Sequence, residues 1–467
     1  MNHQTSNSYQ TRTLCFDNDI SIIELARAFA SEPWSFWLDS GDSAHPDCRF
    51  DILVFDPLIT LTTSINVTKV YDRYNDQLTI SQDDPLTLVD QASASVFANN
   101  IKEHDSIPFC GGALGYFAYD LGRRYESLPA TALMDISLPD MAVGIYSKAI
   151  IFDRKQQTYT LVSWHDDIDA LAQDIKHKVS SAKTKSITPF SLACDWRANM
   201  SQQQYKQKFA QVQQYLLSGD CYQINLAQRF SALYEGDEFD AYLTLRKHNN
   251  APFSAFMRFD DGAILSVSPE RFLQIHNQRV ETKPIKGTRP RSDIVEFDNA
   301  HAKELQNASK DRAENLMIVD LLRNDISKAC LPGSVKVPSL FAIESFPAVH
   351  HLVSTVEGML SPNKSATDLL RGAFPGGSIT GAPKIRAMQI IEELEPHRRS
   401  VYCGSIGYLS ACGKMDTSIT IRTLVCEQDK IHCWAGGGLV ADSKVDSEYQ
   451  ETFDKVAKIL PILANNN

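Results

Sequence analysis

Twice in this chain, from Pro252 to Pro284 and from Cys403 to Leu439, short apolar runs follow one another through tight turns with no helix between them. A parallel pair of strands needs a crossover of a dozen residues or more, usually a helix. Runs joined by turns such as Asp260-Asp261-Gly262 and His276-Asn277-Gln278 are therefore expected to pair antiparallel. Helical spacing is confined to separate segments. The clearest opens with Ser201 and Gln204 as a capping box, with Met200 and Tyr205 placed to staple it; Tyr205, Phe209, Val212 and Leu216 share one face, and Gly219 stops it. Further helices are expected over Asp311 to Asn324, Gly381 to Glu393 and Ser447 to Leu460. The fold class is α+β with mostly antiparallel sheets.

Of 467 residues 43% are hydrophobic, which supplies a sizeable core and excludes disorder as the main state. Lys and Arg number 46 against 57 Asp and Glu, a net charge of −11 without a basic block, so nucleic acid is not an expected partner. An anionic substrate would need local cations or a metal. No charge-free apolar run approaches the ~20 residues that span a bilayer, and Met1 to Arg12 lacks the apolar stretch of a signal peptide; no membrane association and a cytoplasmic location are expected. The ten cysteines form no CxxC pair and read as reduced thiols, mostly buried. The stretch Ser180 to Trp196, rich in Ser, Thr and Lys, divides the chain into an N-terminal region, 1–190, and a C-terminal region, 195–463, which stand apart or share sheets.

Two helical segments place acids three residues apart on one face: Asp311 and Glu314, and Glu448 and Glu451. Converging, these four carboxylates would make a hard-oxygen cage for Mg²⁺; separately, each pair reads as solvated acids complementing a helix dipole. Glycine is concentrated in FPGGSITGAPK (Phe374 to Lys384), YCGSIGY (Tyr402 to Tyr408) and AGGGL (Ala435 to Leu439), where backbone can approach a ligand or pack sheets closely. Gly381, Ala382 and Pro383 sit where a helix is expected to start, so its free N–H groups are candidates to hold a carboxylate. In ETKPIKGTRPR, Lys286 lies between stiff prolines; desolvation or the cations Arg289 and Arg291 would make its amine nucleophilic, although by spacing alone a solvated loop lysine is the better reading. Glu270 follows an apolar strand, either as an acid at a sheet end or as a surface partner of Arg271. Arg422, in phase with Ser418 and Thr420 in an apolar strand, either clamps a carboxylate or faces solvent. His350 and His351 either transfer protons or pack beneath a sheet.

Taken in order, GDCYQINLAQR, SPERF, PIKGTRPR, DRAENLMIVDLLRND, HHLVS, FPGGSITGAPK, GSIGY, DTSITIRT and SEYQETFDKV resemble the chorismate-utilising enzyme family, whose members include the anthranilate, isochorismate and salicylate synthases and the enzymes that aminate chorismate at the para position. The match is dense over the last ~270 residues; earlier, FCGGALGYFAYDLGRR and LPDMAVGIY resemble the para-aminating branch. The resemblance implies an anthranilate synthase component I-like fold, large mostly antiparallel sheets packed together with helices outside. Lysine in PIKGT, at Lys286, where anthranilate synthases carry alanine, favours para amination. Gln223, at the position of the isochorismate synthases' water-activating lysine, disfavours water addition.

The implied reaction converts chorismate and ammonia to 4-amino-4-deoxychorismate, toward 4-aminobenzoate and folate. By the family's mechanism Lys286 attacks C2 as the C4 hydroxyl leaves, and ammonia then adds at C4 and expels the lysine; Glu270 is the acid. Resemblance assigns Glu314 and Glu451 to Mg²⁺ with Asp311 and Glu448 in support, and Arg422, Tyr402, Gly438, His351, Ser378, Thr380 and Gln223 to the surroundings of the substrate. Relatives also bind L-tryptophan in a region that here contains Ser40, Arg49 and Phe50, approached by Pro252, Phe253 and Ser254, with Asp47 where a close relative has an aromatic. No GxCxGxQ segment is present and Cys110 reads as packing, so a separate glutaminase subunit is implied as the ammonia source. The alternatives are anthranilate synthase component I and a non-catalytic tryptophan-binding regulatory subunit.

Overall fold

The computed structural model describes residues 8–16, 19–43, 45–97, 101, 103–164, 167–182, 188–345 and 349–464; part of the Ser180 to Trp196 connection lies outside them. The fold is α+β, two large antiparallel sheets packed together with helices outside. A 13-stranded sheet runs from Gln10–Leu14 through Phe36–Asp39, Phe253–Phe259, Gly262–Ser268, Thr423–Glu427 and Lys430–Leu439 to Gln223–Glu235 and a short edge strand. A 12-stranded sheet runs from Ile285–Pro290 through Val349–Met359, Arg279–Thr282, Arg271–His276, Met415–Ile419, Ser405–Ser410 and Gly112–Phe117 to Gln77–Ser81. Strands from both regions of the chain share each sheet: Phe36–Asp39 pairs with Phe253–Phe259, and Gly112–Phe117 with Ser405–Ser410.

Successive strand residues point to opposite faces. Phe36, Met257, Ile264 and Val425 of the first sheet join Leu114, Tyr116 and Val143 of the second in one core. Their neighbours Trp37, Phe256, Leu265 and Leu424 turn the other way and are covered by the helices Ile22–Arg27, Ile168–Ala182 and Glu238–Asn249. With both faces dry, these strands carry apolar residues without a polar alternation.

Local signals are realised as expected at Gln202–Leu217. The Ser201 and Gln204 capping box forms, Met200 and Tyr205 are buried together, and Gly219 at φ 82° closes the helix with its N–H donating to Leu216 O and that of Asp220 to Tyr215 O. Asn277 and Gln278, at φ 49° and 61°, make the two-residue turn between His276 and Arg279. Among the described residues no helix is long and apolar enough to cross a membrane.

Three expectations are corrected. The run Pro252 to Pro284 is not one meander: its first two strands belong to the 13-stranded sheet and its last two to the 12-stranded sheet. Arg422 is not inside a strand; it stands at φ 52° between Met415–Ile419 and Thr423–Glu427, where the chain again changes sheets and must bend out of the extended conformation. The helix expected from Gly381 starts at Lys384, because Gly381–Ala382 pairs with Gln223 and Ile224 of the long strand, and Lys384 Nζ turns to Asp325 at 2.6 Å. The two sheet crossings lie side by side: Ile419 N–H donates to Glu270 O (3.0 Å), Val267 N–H to Arg422 O (3.1 Å) and Ser268 Oγ to Ile419 O (2.6 Å).

Candidate active site

A cavity of about 600 Å³ opens beside these crossings, and Glu270 enters it from one of them and Arg422 from the other. Lys286 arrives from the strand Ile285–Pro290, whose ladder with Val349–Met359 is broken by a bulge between Ile285 and Thr288. Gly287 occupies that bulge at φ 79°, and a Cβ there would stand 2.8 Å from Asp311 Cγ, so the position needs glycine to bring Lys286 and Asp311 to the same cavity. Asp311 and Glu314 come from the helix Ser309–Ser327, Glu448 and Glu451 from Val445–Asp454. Ser378, His351, Tyr402 and Gly438, all expected near the substrate, are also in the wall.

Lys286 and Glu270 meet at one residue. Lys286 Nζ donates to Ser378 O (3.2 Å), and Ser378 Oγ donates to Glu270 Oε1 (3.3 Å). Burial pushes the Glu270 carboxyl up to about 7 although Lys286 opposes it. Burial also drives the Lys286 ammonium below its ordinary value, with Glu314 and Glu270 pulling the other way. The cations expected to do this do not: Arg289 is taken up by Glu304 and Asp311, and Arg291 by Asp298. Arg271 likewise leaves Glu270 alone and pairs with Asp416 and Asp47.

His351 Nδ1 lies 2.9 Å from Thr288 Oγ1, and burial, reinforced by Arg422, lowers the ring to about 4, so it is neutral at pH 7. His350 lies outside the cavity, between Ser345 and Asp298. The Tyr402 ring stacks on Trp434 with centroids 6.1 Å apart and planes 6° from parallel. Among the described residues no carboxylate forms an ion pair with Arg422, an open invitation to an anion.

Two expected substrate neighbours stand behind the wall instead. Thr380 Oγ1 donates to Gly376 O (3.1 Å), and the fully buried Gln223 packs its amide against Gly438. The backbone at Gly381 to Pro383 is likewise absent from the lining, since it is committed to the short strand pairing. Lys455, Lys310, Asn225 and Trp434 are in the wall without having been singled out. Lys455 had a readable signal, its i,i+4 spacing from Glu451, with which it pairs at 2.6 Å.

The four acids expected to hold a metal all line the cavity, and an oxygen of Glu448 and one of Glu451 lie 3.3 and 3.2 Å from the position of a Cβ on Gly437. Each has a present partner: Glu451 has Lys455, Asp311 has Arg289 (3.3 Å), Glu448 accepts from Ser443 (2.7 Å), and Lys310 lies 3.9 Å from Glu314. Among the described residues no ready-made group of three ligands is formed. The donor chemistry, all carboxylate oxygen, suits a hard divalent cation.

Ser40, Arg49, Phe50, Pro252, Phe253 and Ser254 line a different cavity, of about 300 Å³, which also contains Asp47 and Arg271. Asp47 is paired with Arg271 at 3.0 Å, and Ser40 Oγ donates to Asp51 (2.9 Å).

Residues 35–461 match the family described as chorismate binding enzyme. Aminodeoxychorismate synthase component 1 of Salmonella typhimurium is 56% identical over 434 residues, 93% of this chain and 94% of that protein. Its Escherichia coli counterpart is 55% identical over 92% of this chain and 93% of its own length. The crystal structure of anthranilate synthase component I from Streptococcus pneumoniae superposes with a TM-score of 0.77 at 32% identity, covering 90% of this chain and 93% of that one. With a cavity of this make-up and likeness over nearly its whole length, the chain belongs to the chorismate binding enzyme family.

Proposed function

We propose that the protein acts as an aminodeoxychorismate synthase component I, converting chorismate and ammonia to 4-amino-4-deoxychorismate, the precursor of 4-aminobenzoate for folate synthesis. The observation that carries this reading is the meeting of Lys286 and Glu270 at Ser378 inside a buried cavity, in a chain whose relatives at 55–56% identity bear that name.

Lys286, with its ammonium destabilised by burial, supplies a neutral amine to C2 of the ring as the C4 hydroxyl departs; ammonia then adds at C4 and the C2–N bond breaks to release the lysine. Glu270, whose carboxyl retains its proton up to about pH 7, protonates the leaving hydroxyl and afterwards takes a proton from ammonia. Arg422 and Tyr402, with the Gly438 backbone, hold the enolpyruvyl carboxylate; Ser378 lies beside the ring carboxylate and neutral His351 beside the ring.

Six acids and four Lys or Arg residues among the described residues line the cavity, so a dianionic substrate meets a wall that does not favour it. Glu314 and Glu451, with Asp311 and Glu448, would hold Mg²⁺, which supplies positive charge against the ring carboxylate. Ammonia comes from a glutaminase partner, in line with relatives that are called component 1. The smaller cavity has the volume for L-tryptophan, with Asp47 offering its carboxylate to an amino or indole N–H group. The protein works in the cytoplasm.

Incubation with chorismate, Mg²⁺ and ammonium tests the reading. A product that yields 4-aminobenzoate only after a lyase is added supports it. Fluorescent anthranilate would assign the chain to the ortho-aminating branch, and no turnover together with tryptophan binding would make it a regulatory subunit.

A further inference from the structure

Outside both cavities, two thiols meet beside the turn at the end of a strand pair. Gly112 and Ser410 are register partners in the antiparallel pair Gly112–Phe117 with Ser405–Ser410. The pairing continues past the strand ends, because Ala411 N–H donates to Gly111 O (2.8 Å). Cys110 directly precedes Gly111, and Cys412 stands in the turn that follows Ser410, closed by Ser410 N–H donating to Lys414 O (2.7 Å) and Gly413 N–H to Ser410 O (2.9 Å). A disulfide holds its Cβ atoms roughly 3.5–4.5 Å apart, so two thiols gathered at one hydroxyl need only a local closure to bond. Ser410 Oγ sits between the two sulfurs, 3.4 Å from Cys110 Sγ and 3.3 Å from Cys412 Sγ.

The two cysteines differ in access. Cys110 is buried, whereas Cys412 is part-exposed and lines a surface cavity of about 480 Å³ that a small oxidant can enter. Hydrogen bonding from Cys110, aided by Ser410 and by the Lys414 region, draws the Cys412 thiol below its ordinary value, and the same contact with Cys412, together with burial, raises that of Cys110. The outer thiol is thus the better nucleophile and the inner one its resolving partner.

We propose that Cys110 and Cys412 form a peroxide-reactive dithiol, a modification site separate from the reaction centre. The Cys412 thiolate attacks one oxygen of hydrogen peroxide, the O–O bond breaks, and a sulfenic acid and hydroxide form. The Cys110 sulfur then attacks the sulfenic sulfur; the S–O bond breaks, the S–S bond forms, and the hydroxyl leaves as water with the thiol proton. In sum, two thiols and one peroxide give one disulfide and two waters.

The full-length reduced protein, exposed to hydrogen peroxide, alkylated and mapped by non-reducing peptide mass spectrometry, tests this. The expected result is a linked Cys110–Cys412 peptide that forms roughly tenfold faster than oxidation of the exposed Cys15. Cys412→Ser should abolish the link, and Cys110→Ser should leave a sulfenic acid on Cys412 that dimedone captures. Oxidation of Cys412 no faster than that of Cys15, in the native chain and in Cys110→Ser alike, or linkage of Cys412 to a different cysteine, overturns the proposal.

Discussion

Replacing Glu270 by glutamine should cost activity and return stability, with a pH signature that separates the two. The buried carboxyl has its pKa raised from 4.5 to about 7, chiefly by burial. Folding therefore takes up a proton between those values, so the group is least costly below about pH 4.5 and its penalty grows as pH rises through about 7. At pH 8 the ionised carboxylate costs the folded state roughly 3 kcal/mol, falling below about 1 kcal/mol at pH 5. Glutamine keeps the shape and the acceptor for Ser378 Oγ but carries no charge. With an unfolding entropy of roughly 2 cal/mol/K for each of the 467 residues, the variant should melt about 3 °C above the native protein at pH 8 and within about 1 °C of it at pH 5. Ammonia-dependent turnover, read through a coupled lyase, should fall roughly 10²- to 10⁴-fold as the general acid is lost. Calorimetric scans at the two pH values are the assay. A variant that melts at or below the native temperature at pH 8 refutes the burial argument.

Lys286→Ala should abolish formation of aminodeoxychorismate while Glu270 and the proposed Mg²⁺ ligands leave an anthranilate-like side reaction, checked by fluorescence and liquid chromatography; unchanged activity would exclude covalent catalysis. Glu451→Gln should raise the Mg²⁺ concentration for half-maximal turnover and weaken chorismate binding with it, roughly tenfold or more, as a magnesium titration would reveal. Arg422→Lys, which loses the planar fork, should raise KM for chorismate roughly tenfold or more, and steady-state kinetics would detect it.

The convergence of the two acid pairs came only through the family resemblance, their helices lying far apart in the chain, whereas the antiparallel strands and the capped helix at Gln202–Leu217 could be read from spacing because each rests on neighbours within a few residues. The sheet crossings could not. Strands such as Gly262–Ser268 and Thr423–Glu427 are buried on both faces, so nothing in their pattern distinguishes a turn within one sheet from a step into the other. Arg422 was consequently expected within a strand, although its crossing is what aims it at the cavity beside Glu270. Lys286 shows the same limit. Spacing favours a solvated loop lysine, and its burial depends on Ser378 and on helices far away in the chain. Gln223 and Thr380 show the converse: their motifs reach the cavity wall, while the two residues are buried behind its lining.

Mass spectrometry of the protein after incubation with chorismate and Mg²⁺ but no ammonia examines the covalent step itself. A chorismate-derived mass increment on the peptide containing Lys286, discharged when ammonium is added, is the predicted result. An unmodified Lys286 peptide in enzyme that still turns over with ammonium would contradict it.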